Sequence, residues 1–145
     1  MPRFLVINGP NLNLLGHRDR GIYDSMTLSE IEGLMTGEAE ALGVELDFFQ
    51  SNSEGSLIDH LQEEGPSSQG VIINPGAFTH YAWAIHDALA AFDGPVVEVH
   101  LSNPAAREPW RHTSVVAPVA AGTIAGFGSD GYRLAVDAVA SLLDR

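Results

Sequence analysis

Short apolar runs alternate with longer amphipathic segments along the whole chain. The runs rich in Val, Ile and Phe predict strands near 3–8, 44–50, 70–74, 95–101 and 121–127. Continuous apolar runs of this length are typical of strands that are buried on both faces of a parallel sheet. The segments between them predict helices that begin at Thr27 and lie near 54–64, 79–92 and 131–144.

The sequence also indicates the ends and faces of these helices. Thr27 and Glu30 fit a capping box, and Gly43 is suited to end the first helix. Gly33 and Gly37 weaken that helix by roughly 1 kcal/mol each relative to Ala. Helical spacing predicts the inward faces as Leu28, Ile31, Met35 and Leu42, then Leu57, Ile58 and Leu61, then Ala82, Ile85, Leu89 and Phe92, and finally Leu134, Val139, Leu142 and Leu143. We therefore expect one α/β domain: a doubly wound five-stranded parallel sheet, flavodoxin-like in size, with helices on both faces.

Three of the predicted strands end on a polar side chain. FLVIN ends at Asn8, GVIIN ends at Asn74 and VVEVH ends at His100. In open α/β sheets, ligands bind outside the carboxyl ends of the strands. The three ends therefore predict a polar site at one edge of the sheet.

Composition narrows the chemistry of that site. The net charge of -12 argues against a nucleic-acid or anionic-membrane partner, because phosphate neutralisation needs basic surface. All seven basic residues are Arg, so the chain has no lysine for a Schiff base. Four of the seven lie in 17–24 and 104–113, downstream of polar strand ends, which suggests an anionic ligand or an activated anionic side chain.

The remaining compositional features exclude several other classes of protein. With no Cys, the chain has no disulfide, thiolate nucleophile or thiolate metal site. Its six His show no HExxH or close ligand pair, so we predict no metal. No apolar stretch approaches membrane-spanning length and MPRFLVIN enters a strand directly, so we expect a cytoplasmic protein.

Glu98 and His100 are the first candidate pair for acid–base chemistry. Two-residue spacing places their side chains on one face of a strand, where a carboxylate can orient an imidazole and raise its pKa. A strand-end His bound by neighbouring backbone explains the residues equally well. The backbone amides of Leu101 and Ser102, and the Ser102 hydroxyl, are suited to hold a carboxylate.

The loop at 9–26 is too long for a routine strand-to-helix turn, and such loops tend to be functional or mobile. It contains Arg18 and Tyr23, and a guanidinium close to a Tyr lowers the pKa of its phenol. Taken alone, these two residues are better explained as a surface charge and a half-buried loop anchor.

The other polar residues receive simpler interpretations. His80, Ala84 and Asp87 are spaced to share a face of the third helix. We expect structural or surface roles for His17, His60, His86 and His112. GFGSDG at 126–131 lacks the spacing of a phosphate loop, so a tight helix entry is the better interpretation.

Together these motifs resemble the type II dehydroquinases, which are the type II 3-dehydroquinate dehydratases. The resemblance covers essentially the whole chain. It rests on INGPNLNLLGHR followed by Tyr23, on QSNSEG, on NPGAFTH followed by Asp87, on VEVHLSN, on AREPWR and on GFGSDGY. The chain departs from the family pattern in the loop, which reads Arg18-Asp19-Arg20 where the family commonly has REP, and at Tyr81-Ala82, where Thr-Ser is frequent.

The resemblance implies a hydro-lyase that needs no cofactor. It would remove water from 3-dehydroquinate by anti-elimination through an enolate, giving 3-dehydroshikimate in the shikimate pathway or in quinate catabolism. Tyr23 would accept the proton and His100, oriented by Glu98, would donate one. Arg18 would lower the Tyr23 pKa with help from Arg107, and Asn11 would hold a water that stabilises the enolate.

The resemblance also implies substrate contacts and an assembly. The carboxylate would bind at Leu101 and Ser102, and the ring hydroxyls would bind Asn74, His80 and Arg111. Asp87 would reach a neighbouring subunit's site in a homododecamer built from trimers, and an active-site lid would lie near 16–25. Two other classes of protein fit the sequence less well. For a flavodoxin-like module that binds FMN or a nucleotide, GPNLNLL is a poor phosphate loop, and an acidic interaction domain leaves the polar strand ends and the Arg-bearing loops unexplained.

Overall fold

The computed structural model describes residues 1–17 and 26–145. Within these ranges the strands form one parallel sheet, and their bounds are β1 (Arg3–Asn8), β2 (Glu45–Gln50), β3 (Gly70–Asn74), β4 (Val96–His100) and β5 (Gly122–Ala125). The spatial order is β2-β1-β3-β4-β5, which is the flavodoxin-like order of a doubly wound sheet. The predicted five-stranded parallel sheet is confirmed.

Four α-helices in the described part of the chain cover both faces of the sheet: α1 (Leu28–Leu42), α2 (Glu54–Glu64), α3 (Trp83–Ala90) and α4 (Asp130–Leu143). In β1, Phe4 and Val6 pack with α1 and α4, whereas Leu5 and Ile7 pack with α2 and α3. Both faces of this strand are buried, which explains its continuous apolar sequence. No helix in the described ranges is both long enough and apolar enough to cross a membrane.

The first helix begins and ends where the sequence predicts. The Thr27 hydroxyl accepts a hydrogen bond from the Glu30 amide at 3.1 Å, and the Glu30 carboxylate accepts one from the Thr27 amide at 2.9 Å. Gly43 ends the helix with φ 69°. The prediction that Leu42 faces inward was wrong, because Leu42 is 43% exposed and Val44 fills the core at that end.

The buried face of α4 differs from the predicted one. Tyr132, Ala135, Val136 and Val139 are each 0% exposed, at i, i+3, i+4 and i+7 spacing. Leu134 and Leu142 are only partly buried, and Leu143 is 37% exposed. The prediction is confirmed at Val139 and in part at Leu142, which packs against this core. It was wrong at Leu134 and Leu143, because it favoured large aliphatic side chains over the periodicity that includes Tyr132.

The third helix begins later than predicted. A separate 3₁₀ helix spans Gly76–His80, and α3 starts at Trp83. His80 is therefore outside α3 and does not share a helical face with Ala84 and Asp87. Tertiary contacts hold the turn in this form, since the Thr79 carbonyl accepts a hydrogen bond from the Val115 amide at 2.7 Å.

The carboxyl ends of β1 and β3 are locked together. The Gly9 amide donates to the Asn74 carbonyl at 2.8 Å. A Cβ added at Gly9 would lie 2.3 Å from the Pro75 carbonyl oxygen, so only glycine allows this approach. The loops that follow the two strands are thereby brought to one edge of the sheet, beside the end of β4.

Candidate active site

A cleft of about 220 Å³ lies at this edge of the sheet. It contains most of the predicted site residues, namely Asn11, Asn74, His80, His100, Leu101, Ser102, Arg107 and Arg111. Arg18 and Tyr23 fall outside the described residues. Residues from three segments, at the ends of β1, β3 and β4 and in the loops that follow them, thus converge where the polar strand ends predicted a site.

The end of β4 brings Glu98 and His100 into direct contact. The His100 ring Nε2 lies 2.6 Å from the Glu98 Oε2, as their two-residue spacing predicted. Glu98 is fully buried, and it also accepts hydrogen bonds from two hydroxyls. The Thr79 hydroxyl donates to Oε2, and the Ser114 hydroxyl lies 3.0 Å from each carboxylate oxygen. Neither hydroxyl was predicted from the sequence.

Glu98 is held as a buried anion. Burial raises the pKa of its carboxyl. The hydrogen bond and charge of His100 lower that pKa, as do the hydrogen bonds from Thr79 and Ser114. Together they outweigh burial, so the pKa of Glu98 is below its ordinary value. A carboxylate in contact with an imidazole ring fixes the ring orientation and stabilises its protonated form. The arrangement gives the cleft an oriented histidine that is suited to proton transfer.

A second polar network ties the ends of β1 and β3 to α4. The buried Tyr132 hydroxyl donates to the Asn8 Oδ1 at 2.6 Å and accepts from the Asn74 Nδ2 at 2.8 Å. The Asn74 Oδ1 accepts from the Gly76 amide at 3.1 Å. Sequence reasoning missed Tyr132. The two strand-end asparagines need hydrogen-bond partners once they are buried, but nothing in the sequence around Tyr132 identifies it as that partner.

Two arginines give the cleft positive charge. The Arg107 Nη1 donates to the Ser102 hydroxyl at 3.2 Å, and the Arg111 Nε donates to the Glu108 carboxylate at 3.1 Å. The Arg111 guanidinium also lies 3.9 Å from the centre of the Trp110 ring. Guanidinium groups held in this way are suited to bind a carboxylate or hydroxyl oxygens.

His80 and Asn11 also line the cleft. The His80 Nδ1 donates to the Thr113 carbonyl at 2.8 Å, because a carbonyl can only accept, and Nε2 remains as the other polar atom of the ring. Asn11 has a left-handed backbone with φ 68°, and its amide donates to the Asn52 Oδ1 at 2.9 Å. Both residues are held by partners distant in sequence.

Asp87 lies apart from this cleft. It is exposed on α3, and the cleft lining does not include it. Among the described residues, Asp87 is therefore not brought to the cleft of its own chain.

Three of the four histidines given structural or surface roles are held by nearby groups. The His86 Nδ1 donates to the Val115 carbonyl at 2.6 Å, His60 lies 2.9 Å from the Asp47 carboxylate, and the His112 Nε2 donates to the Arg107 carbonyl at 3.0 Å. Among the described residues, no group of three or more His, Asp or Glu is arranged to hold a metal ion.

GFGSDG forms a tight entry into α4, as predicted. Gly126 and Gly128 have φ 95° and 61°. The Gly128 amide donates to the Leu101 carbonyl at 3.0 Å, which links the start of α4 to the residue that follows His100.

Comparison with known proteins agrees with this geometry. A family model described as dehydroquinase class II matches residues 2–140. A 3-dehydroquinate dehydratase of Roseiflexus castenholzii is 57% identical over 93% of this chain and 86% of its own length. The type II dehydroquinase structure from Butyrivibrio crossotus is 43% identical, with a TM-score of 0.92 over 95% of this chain and 97% of that one. The corresponding structure from Propionibacterium acnes is 40% identical, with a TM-score of 0.93 over 97% of each chain. This chain belongs to the class II dehydroquinase family.

Proposed function

We propose that this chain is a hydro-lyase that removes water from 3-dehydroquinate to give 3-dehydroshikimate, in the shikimate pathway or in quinate catabolism. The observation that carries the proposal is the contact between Glu98 and His100 in an arginine-lined cleft. Family membership supports the same reaction, since the Roseiflexus castenholzii relative is named 3-dehydroquinate dehydratase.

The first step is removal of a proton from the carbon next to the substrate ketone. Tyr23 is the base, and Arg18 and Arg107 supply the positive charge that favours its phenolate. The electron pair left on carbon moves onto the ketone oxygen and forms an enolate. Asn11 holds a water that donates a hydrogen bond to the enolate oxygen, which lowers the energy of the charged intermediate.

The second step expels the tertiary hydroxyl. The enolate re-forms the ketone, a carbon–carbon double bond forms beside it, and the carbon–oxygen bond to the hydroxyl breaks. His100 gives the departing oxygen a proton, so the leaving group is water. The buried Glu98 carboxylate supports this role, because it stabilises the protonated ring that precedes the transfer.

The remaining cleft residues bind the substrate. The backbone amides of Leu101 and Ser102, with the Ser102 hydroxyl, hold the carboxylate, while Asn74, His80 and Arg111 hold the ring hydroxyls. This assignment is supported by the lining of the cleft, which includes all five of these residues. It is also supported by the Arg107 hydrogen bond to Ser102, which places a cation beside the proposed carboxylate position.

The reaction needs no cofactor in this proposal. A ketone already activates the neighbouring carbon–hydrogen bond, so a base, an acid and hydrogen bonds to the enolate are sufficient chemistry. Activation of the substrate ketone as a lysine imine is not possible in this chain, because all seven basic residues are Arg.

We also propose that the chain is a single domain with an active-site lid near 16–25, of which residues 18–25 lie outside the described part of the chain. This is supported by Asn11 and Leu12, which line the cleft shortly before that segment. Tyr23 and Arg18 would reach the substrate from the lid.

The chain also assembles as a homododecamer built from trimers, in which Asp87 contributes to a neighbouring subunit's site. The exposure of Asp87, together with Tyr81 at 60% and Trp83 at 61% exposed nearby, supports a subunit contact on this surface. Sedimentation equilibrium tests the assembly, and a monomer at micromolar concentration would contradict it.

Turnover of 3-dehydroquinate tests the proposed reaction directly. The conjugated ketone of 3-dehydroshikimate absorbs ultraviolet light, so the purified protein, treated with a chelator and without added cofactor, should produce a steady rise in absorbance. A yellow protein, or no rise at high enzyme concentration, would sink the proposal and favour a flavin-binding module.

A further inference from the structure

Ser114 contacts the Glu98 carboxylate but does not line the cleft that contains His100. Its hydroxyl oxygen accepts two backbone hydrogen bonds, from the Val116 amide at 3.1 Å and from the Ala117 amide at 2.9 Å. A hydroxyl oxygen has two lone pairs and one hydrogen. With both lone pairs occupied by amides, Ser114 can act toward its other neighbours only as a donor.

The acceptor for that hydrogen is Glu98, whose two carboxylate oxygens each lie 3.0 Å from the Ser114 oxygen. Thr79 is the other neighbour, at 3.0 Å, and its own hydroxyl hydrogen is directed to the Glu98 Oε2. The two hydroxyls of Thr79 and Ser114, here called the hydroxyl pair, therefore both donate toward the same buried carboxylate.

The direction of these hydrogen bonds determines which His100 nitrogen carries a hydrogen toward Glu98. The Glu98 carboxylate only accepts hydrogen bonds, so the His100 Nε2, 2.6 Å from the Glu98 Oε2, must carry the hydrogen between them. The other ring nitrogen, Nδ1, is then the atom available to exchange a proton in the cleft.

We propose that Ser114 and Thr79 are positioning residues for the general acid. They fix the direction of the hydrogen bonds through Glu98 and hold its carboxylate against His100, so that Nδ1 carries the transferred proton. This inference rests on the proposed dehydration, because it assigns the hydroxyl pair to the acid that expels the leaving group.

The segment that carries Ser114 is firmly docked. The Val115 amide donates to the Thr79 carbonyl at 2.7 Å, the His80 ring donates to the Thr113 carbonyl at 2.8 Å, and the His86 ring donates to the Val115 carbonyl at 2.6 Å. Ser114 is thus placed by backbone contacts that do not depend on its own side chain, which allows its hydroxyl to be removed without releasing the segment.

Other charged or titratable groups lie close enough to affect a pH profile. The small cavity that Glu98 and Ser114 line also contains His80, His100, Arg111 and His112. None of them is changed by a substitution at Thr79 or Ser114, so a profile that differs between these variants and the wild type reports on the hydroxyl pair.

The experiment compares Ser114→Ala and Thr79→Val with the wild type, using steady-state turnover of 3-dehydroquinate over a range of pH. A hydrogen bond to a charged group corresponds to a change of about 10- to 100-fold. We expect each variant to lower kcat by that factor with little change in KM, and to move the acidic limb of the kcat profile to higher pH. Ser114→Thr should restore the rate, and Ser141→Ala, at an exposed position on α4, should match the wild type.

The two variants separate positioning from structural support. Ser114→Ala also deprives two backbone amides of their acceptor, but Thr79→Val keeps the Thr79 carbonyl and leaves those amides untouched. An unchanged kcat and pH profile in Thr79→Val would overturn the inference, even if Ser114→Ala were slow. So would equal losses in kcat that leave the pH profile unmoved.

A second measurement is independent of turnover. The carbon-13 signal of the Glu98 carboxyl, identified by its absence in Glu98→Gln, should titrate at a higher pH in both variants because the carboxylate has lost a donor. If the wild type failed to dehydrate 3-dehydroquinate, the proposed function would fail, while this signal would still decide whether the hydroxyl pair holds Glu98. An unchanged titration in both variants would overturn the inference.

Discussion

Among individual residues, His100 and Tyr23 carry the two proton transfers of the proposed reaction. General acid or base catalysis by one side chain contributes about 10²- to 10⁴-fold to a rate. We therefore expect His100→Ala and Tyr23→Phe each to lower kcat by a factor in that range, measured by the rise in product absorbance. Circular dichroism and thermal unfolding should show that both variants remain folded. Near-normal turnover by Tyr23→Phe would mean that another group is the base.

Tyr132 is expected to matter for stability. Its hydroxyl is buried, donates to Asn8 and accepts from Asn74, and burial raises the pKa of the phenol, so it stays protonated. Tyr132→Phe leaves an acceptor and a donor in the core without their partner. We expect the free energy of unfolding, measured by urea denaturation, to fall by about 1–3 kcal/mol.

The control is Ser141→Ala, because the Ser141 hydroxyl lies at an exposed position on α4. Removal of an exposed hydroxyl should change the free energy of unfolding by less than about 0.5 kcal/mol. Equal losses in the two variants would mean that the Tyr132 hydrogen bonds contribute no more than a solvated hydroxyl does.

Sequence reasoning found Glu98 and His100 because they are two residues apart on one strand. It could not find Thr79, Ser114 or Tyr132. Thr79 and Ser114 lie 19 and 16 residues from Glu98 along the chain, and Tyr132 lies 58 residues from Asn74 and 124 from Asn8. A lone Ser, Thr or Tyr carries no local pattern that reveals a buried polar partner. Their roles follow only from the folded structure, in which they lie next to the ends of the strands.

At the scale of elements, local signals decided how well each helix was predicted. The cap at Thr27 and the end at Gly43 are properties of adjacent residues, and both are as predicted. The start of α3 was predicted wrongly, because the residues before it form a 3₁₀ helix whose Thr79 carbonyl is hydrogen-bonded to the Val115 amide. Where a turn makes contacts with residues far away in the sequence, those contacts override the local helix propensity.

The contact between β3 and α4 leads to a prediction at this scale. Gly70 lies in the buried strand β3, and a Cβ added there would lie 2.4 Å from the Val139 Cγ1. Val139 is itself fully buried, and its β-branched side chain has few alternative rotamers in a helix. Gly70→Ala should therefore lower the free energy of unfolding by about 1–3 kcal/mol, as overpacking does in other cores.

Gly33→Ala provides the contrasting control. Gly33 is exposed on α1, and an added Cβ would meet nothing within 4 Å. Alanine is the better helix former, so this variant should be more stable by about 0.5–1 kcal/mol. Urea denaturation of both variants measures the difference, and the same sign of change in both would contradict the packing explanation.

At the scale of the whole molecule, the buried Glu98 makes stability depend on pH. Its pKa is lower in the folded protein than the ordinary value, so the folded state favours the ionised form. The resulting stabilisation is present above the unfolded pKa of about 4.3. It is lost as the pH falls toward the folded pKa. We expect the free energy of unfolding, measured by urea denaturation, to decrease as the pH is lowered through this range.

Glu98→Gln tests the source of this dependence. The pKa values of the Glu108 and Asp130 carboxyls are also lowered, but both groups are exposed and screened by solvent. The variant should show a shallower fall in stability with decreasing pH than the wild type, even though it is less stable at neutral pH. Parallel curves would assign the pH dependence to other groups.

The alternation of strand and helix, the polar strand ends, the Glu98–His100 spacing and the family resemblance all follow from the amino-acid sequence. Each of these is a pattern among neighbouring residues or a motif in a fixed order. Three other features depend on how the chain folds: the partners that surround Glu98, the link that Tyr132 makes between the ends of β1 and β3, and the position of Asp87 outside the cleft described in its own chain. These contacts join residues far apart in sequence, and a buried carboxylate or amide selects its partners by the space and hydrogen-bonding groups that the assembled core provides.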